Sequence, residues 1–208
     1  GDADHPAHLA TKVELDDLPT LLPPGFDWKL PTNEGEAGRA YQPHDAYGFL
    51  RQMQLANLQA GEPVSVDWHF ENGQPAGLRV TLFPETNCQL VLGENPSIRQ
   101  AEEDDSQLDR HQRPFMMLRH RADTGRSTFV SLLESFELLA PISSVRRIEL
   151  GDGAVGLSVA IGERTDIVVI GAGTEKSVAI GAEKTPLASF RGEVGVLTLR
   201  DGEVEHAY

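Results

Sequence analysis

Asp67 and His69 stand two residues apart in VSVDWHF, and an extended chain through that segment sets a carboxylate and an imidazole on one face. A neighbouring strand carrying His120, or the leading segment carrying His44, would complete a mixed nitrogen and oxygen set suited to zinc. A polar sheet face without metal is the stronger reading. Asp-x-His is common in strands, and zinc signatures of weight fix more ligands at defined spacing. No cofactor is therefore expected, with zinc at Asp67, His69, His120 and His44 kept as the one metal candidate.

Other constellations carry less. His5 and His8 lie three apart beside Asp2 and Asp4, but Pro6 between them breaks the helix on which such a pair would chelate. Glu134 and Glu137, at the end of STFVSLLESFE, sit too close in one segment to flank a substrate atom as a catalytic carboxylate pair must. The glycines of VVIGAGTEKS are followed by strand-like residues, where phosphate binding needs a helix N-terminus. No serine stands in a nucleophile elbow, and Cys88 in NCQL has no local base. His69, Tyr47 and Arg119 or Arg121 supply the residue types of base, acid and cation for proton abstraction beside a carboxylate, but nothing in their spacing joins them. No catalytic residue is assigned.

The elements that must position these residues are strands. From Tyr47 onward short β-prone runs such as VSVDWHF, LRVTLF, CQLVL, AVGLSVAI, TDIVVIG and VGVLTLR follow one another, separated by glycine- and asparagine-containing turns. Asp201-Gly202 can take the positive φ angles of a two-residue turn and join the last two strands as a hairpin. Eleven or so strands exceed what one sheet carries before it splits, as open sheets rarely pass about 10 strands. The fold class expected is all-β, a two-layer antiparallel β-sandwich over residues 45–208, with an irregular N-terminal arm over residues 1–44 that docks through Leu21, Leu22, Phe26 and Trp28. NPSIRQAEEDDSQLDRHQRP reads as a solvated loop or one short helix.

Alternation selects the buried set: Val66, Trp68, Val80, Leu82, Met116, Leu118, Phe129, Leu133, Leu157, Val159, Val168, Leu197 and Leu199. STFVSLLE lacks alternation and reads as a central strand covered on both faces, Phe129 and Leu133 on one side and Val130 and Leu132 on the other. Glu134 then falls where that strand emerges, hydrated or paired with an arginine of SVRRIEL.

With 18 basic against 32 acidic residues the net charge is -14, which repels a nucleic-acid backbone. The basic residues gather modestly in RHRADTGR and SVRRIEL. The single cysteine excludes an internal disulfide framework. No apolar run approaches the ~20 residues of a membrane-spanning helix, so neither nucleic acid nor membrane is an expected partner. The chain opens on Gly1, which fits a processed protein or a fragment.

PFMMLRHRADTGRSTFVSLLESFE, then ISSVRRIEL, then AVGLSVAIGERTDIVVIG resembles the C-terminal β-domain of heparinase II/III-like polysaccharide lyases, and DAYGFLRQMQL and VDWHF are similar to its preceding strands. The resemblance covers roughly residues 45 to 208. It implies a β-sandwich that packs beside a catalytic α/α-toroid, which holds the acid and base groups of the family. Some members carry a histidine and a zinc site upstream in the β-region, a place that His44 or His69 would take. By the same resemblance the chain is an accessory domain without catalysis of its own, the ligand is an acidic or neutral polysaccharide, and the location is the bacterial periplasm or exterior. The alternative is a free-standing carbohydrate-binding module, which needs exposed aromatic platforms; aromatic residues are only 6% of the chain, so platforms are scarce.

Overall fold

The computed structural model of the chain describes residues 7–26, 28, 45–69, 76–97, 110–122, 127–151, 153–171, 176–179 and 186–208. Their strands, numbered in chain order, form three antiparallel sheets and a two-stranded ribbon. The first sheet runs in the order β1 (Ala7–Leu9), β4 (Val64–His69), β5 (Ala76–Leu82) and β8 (Ser131–Glu137). A second runs β2 (Asp16–Asp17), β3 (Arg51–Asn57), β6 (Cys88–Pro96) and β7 (Gln112–His120). The third contains β9 (Ser144–Glu149), β10 (Val155–Ile161), β11 (Arg164–Ile170), β14 (Val194–Arg200) and β15 (Glu203–Ala207), and the ribbon pairs β12 (Lys176–Ala179) with β13 (Pro186–Phe190).

The all-β, sandwich-type architecture read from the sequence is the one found, with the strands divided among more sheets than two. Val64, Val66, Val80 and Leu82 alternate onto the inner face of the first sheet and meet Ala56, Leu90 and Leu92 of the second. Val66 and Leu90 are fully buried. Burying such side chains contributes about 1.5–3 kcal/mol each. Trp68, Met116 and Leu118 pack against this cluster as partly buried neighbours. The third sheet has two covered faces: Ile167, Val169 and Leu199 with Phe190 of the ribbon on one, Leu157 and Val159 with Phe83, Val130 and Leu132 on the other. Gly195 makes room for the first arrangement, since the Phe190 ring occupies the place a Cβ there would take.

Residues 7–17 add short strands to two sheets, β1 along β4 and β2 along β3. Trp28 stands edge-on to Phe49 at 5.2 Å, with the Arg51 guanidinium 5.4 Å from its ring centroid. Gly48, in the 3-10 helix Asp45–Phe49, lies directly beneath that indole. Asp201 and Gly202 have φ of 52° and 83° and turn β14 into β15, as their residue types predict. β12 begins at Lys176, so strand follows the glycine run there. The acidic segment expected as a loop or helix falls mostly outside the described residues. Among the described residues no helix is long and apolar enough to cross a membrane.

STFVSLLESFE corrects the sequence reading. Strand β8 starts at Ser131 and forms an edge of the first sheet, pairing only with β5 among the described residues. Its pattern is a strict alternation, with Leu132, Glu134 and Phe136 inward and Ser131, Leu133, Ser135 and Glu137 exposed. Phe129 precedes the strand and is 57% exposed, and Leu133 is 62% exposed, so neither belongs to the core. Leu133 lies across from the buried Val80 and is nonetheless exposed. Glu134 is buried mid-strand, where its Oε1 accepts the Ile142 N–H at 2.6 Å. It faces Arg79 in the β5–β8 register.

Candidate anion-binding cleft

His120 borders two clefts, one lined by Arg146 and Arg147 and the other by Arg119 and Arg121. Strand β7 ends Arg119–His120, with Arg121 following, and the Arg121 N–H donates to the Asn87 carbonyl at 3.3 Å. His120 sits opposite Cys88 on the core-facing side of the second sheet, in phase with Met116 and Leu118. At the strand's end that row leaves the core, so an imidazole replaces the apolar side chain. Strand β9 brings Arg146 and Arg147 alongside. The turn between β5 and β6 supplies Glu85, and its Asn87 has φ of 62°, a left-handed conformation that asparagine tolerates better than most residues.

His120 lies in the wall of two clefts. One, of about 600 Å³, is lined by Pro63, Pro84, Glu85, Thr86, Arg146 and Arg147. The other, of about 860 Å³, is lined by Asn57, Asn87, Gln89, Arg119 and Arg121. In a chain of net charge -14 this is a local concentration of positive groups, and low-dielectric walls focus such a field. Glu85 lies between His120 and Arg147: Oε2 is 3.7 Å from His120 Nδ1 and Oε1 is 3.7 Å from an Arg147 terminal nitrogen. Both separations exceed the 2.7–3.2 Å of an N–H···O bond. The His120 side chain is only 9% exposed, and its Nδ1 is buried without a hydrogen-bond partner. An unsatisfied buried polar atom costs about 1–3 kcal/mol. The Phe129 ring meets the imidazole edge-on at 6.4 Å.

The residues singled out for zinc are dispersed. Asp67 and His69 lie on the face of β4 opposite Val66, away from the second sheet that carries His120. Both Asp67 oxygens are engaged, Oδ1 accepting from Arg79 Nε and Oδ2 from Arg79 Nη2, each at 2.8 Å. Asp67, Arg79 and Glu134 thus form one row across three strands. The hydrogen bonds to Asp67 raise the Arg79 pKa above its ordinary value against the opposing pull of burial, and the charges of Asp67 and Glu134 add to the rise. His69 is exposed and stands edge-on to Phe136 at 5.6 Å. Among the described residues no group of three or more His, Cys, Asp and Glu is placed to hold a metal ion. His44 and His5 lie outside the described residues.

Of the residue types considered for proton abstraction, Tyr47 is in the 3-10 helix, His69 ends β4, and Arg119 and Arg121 are at the end of β7. Both basic runs are visible in the sequence, but the approach of Arg146 and Arg147 to His120 is not, because it depends on stacking the third sheet against the others. Glu85 has no sequence signal beyond its place in a turn. The chain matches no protein-family model and no curated protein.

Proposed function

We propose that the chain is a non-catalytic accessory β-domain of a heparinase II/III-like polysaccharide lyase, lying beside a catalytic α/α-toroid and contributing to the wall of its polysaccharide cleft. The observation that carries this reading is that Arg146 and Arg147 share a cleft wall with His120 in a strongly acidic chain, with Arg119 and Arg121 lining the second cleft that His120 borders. Arginine forks suit carboxylate and sulfate groups, which acidic polysaccharides present along their length. The strand order that resembles the family supports the same reading, and a bacterial periplasmic or extracellular setting goes with it.

A free-standing carbohydrate-binding module ranks second, because both tryptophans of the chain are engaged in packing. Trp68 lies against the sandwich core and Trp28 against Phe49 and Gly48. Neither indole is left as an open stacking platform. Lyase action creates an unsaturated uronate that absorbs in the ultraviolet. Incubation of the purified chain with heparan-type, alginate-type or chondroitin-type polymer is expected to give no such absorbance. Its appearance, and its loss on replacing His69 or Tyr47, would refute the accessory role.

A further inference from the structure

We propose that the cleft between the Glu85 turn and strand β9 is a site for a single carboxylate or sulfate group, in which Glu85 is an internal carboxylate that a ligand anion displaces. The source expected for the anion, a uronate residue, rests on the function proposed above; the site itself does not.

His120 is held at the end of β7 with its side chain 9% exposed, so its Nδ1 cannot turn to solvent for a partner. The carboxylate facing it belongs to a side chain 31% exposed, on a turn, and can leave for water without emptying a core position. Glu85 also reaches neither of these neighbours at hydrogen-bonding distance, standing 3.7 Å from His120 Nδ1 and from Arg147. Its backbone limits where its carboxylate can go, whereas a free anion in the same cleft can come within hydrogen-bonding distance of His120 Nδ1 while remaining beside the Arg147 charge. Arg146, exposed and in the same wall, supplies further positive charge as Glu85 withdraws.

The rest of the wall fits a sugar acid better than a bare ion. Pro63 and Pro84 give an apolar surface beside the charged groups, suited to the C–H face of a pyranose ring, and Thr86 offers a hydroxyl. A volume of about 600 Å³ admits a saccharide unit together with its neighbours' linkages.

The whole chain is titrated with glucuronic acid, glucose and inorganic sulfate while the imidazole C–H signal of His120 is followed by NMR, that signal being assigned by its loss in His120→Gln. Glucuronate is expected to move the signal saturably, and glucose to leave it in place. Sulfate acting as strongly as glucuronate would assign the site to anions in general; weaker action would assign it to the sugar acid. Arg147→Gln is expected to weaken glucuronate binding about tenfold, the scale of one charge-assisted hydrogen bond. Glu85→Gln is expected to strengthen it several-fold, because the competing charge is gone. That gain separates the proposal from a merely structural ion pair, and Arg147→Lys controls for folding by retaining the charge. No shift of His120 with any anion, or unchanged or weaker binding in Glu85→Gln, would overturn the site. Binding of uronate polymers that leaves His120 unmoved would reject the site and spare the proposed function. Binding of glucuronate at His120 by a chain that ignores uronate polymers would do the reverse.

Discussion

At the scale of single residues, burial and not residue type decides which changes matter in β8. Phe129 invites a core assignment, yet at 57% exposure its truncation to alanine is expected to change stability by no more than about 0.5 kcal/mol, the usual range for surface positions. Phe136 is the aromatic side chain that fills the inward face, with its ring against Gly77. Phe136→Ala is expected to cost about 3–5 kcal/mol. Glu134→Ala leaves the Ile142 N–H without its acceptor and Arg79 without a neighbouring charge, for a loss of about 1–3 kcal/mol. Glu134→Gln keeps an acceptor oxygen and should lose less. Thermal melts of the four variants check this order, and a large effect at Phe129 with none at Phe136 would contradict it. Sequence alone does not separate these residues, for a specific reason: a leucine-rich edge strand and a doubly covered central strand share one composition, and only the neighbouring sheet reveals which face is wet.

At the scale of elements, the β4–β5 hairpin carries a charge pair that the sequence could not pair. Asp67 and Arg79 are separated by a connection whose length of turn sets the register, so the arginine opposite Asp67 depends on which residues the turn consumes. The alternation within VSVDWHF and LRVTLF was legible, and so was the final hairpin at Asp201-Gly202, because each depends on adjacent residues alone. Arg79→Met leaves Asp67 short of its bidentate partner and is expected to cost about 1–2 kcal/mol, below the fully buried case because solvent screens the partly exposed guanidinium. The pKa of Arg79 is raised on folding, so its contribution is fully present below the unfolded value and is lost only as pH rises through the higher folded value. The stability difference between wild type and Arg79→Met should therefore stay level from about pH 6 to about pH 10, far below the ordinary arginine range. Denaturant titrations across that range measure it; a difference that decays toward pH 10 would contradict the assignment.

At the scale of the whole molecule, fold class followed from the spacing of short strands and turns, while the division into sheets did not. Periodicity tells which face of a strand is apolar, but Leu157 and Val159 meet Phe83 and Leu132 only through the stacking of one sheet on another. The same stacking creates the cleft, bringing Arg146 and Arg147 of the third sheet to His120 of the second. Asp67, His69 and His120 drew attention in sequence as chemically capable types, and of these only His120 stands in the cleft wall. A net charge of -14 would ordinarily repel an acidic polymer at long range. Screening over about 10 Å at 0.1 M salt leaves the local field of the cleft to decide binding at contact.

The most direct measurement is calorimetric titration of the whole chain with a uronate-containing polymer at about 0.1 M salt, set beside the Arg146→Gln, Arg147→Gln double variant of unchanged melting temperature. Saturable binding by the wild type that weakens with added salt and falls at least about tenfold in the double variant is the result predicted. Absence of binding, or equal binding by both proteins, would contradict the assignment of this cleft to an acidic polysaccharide.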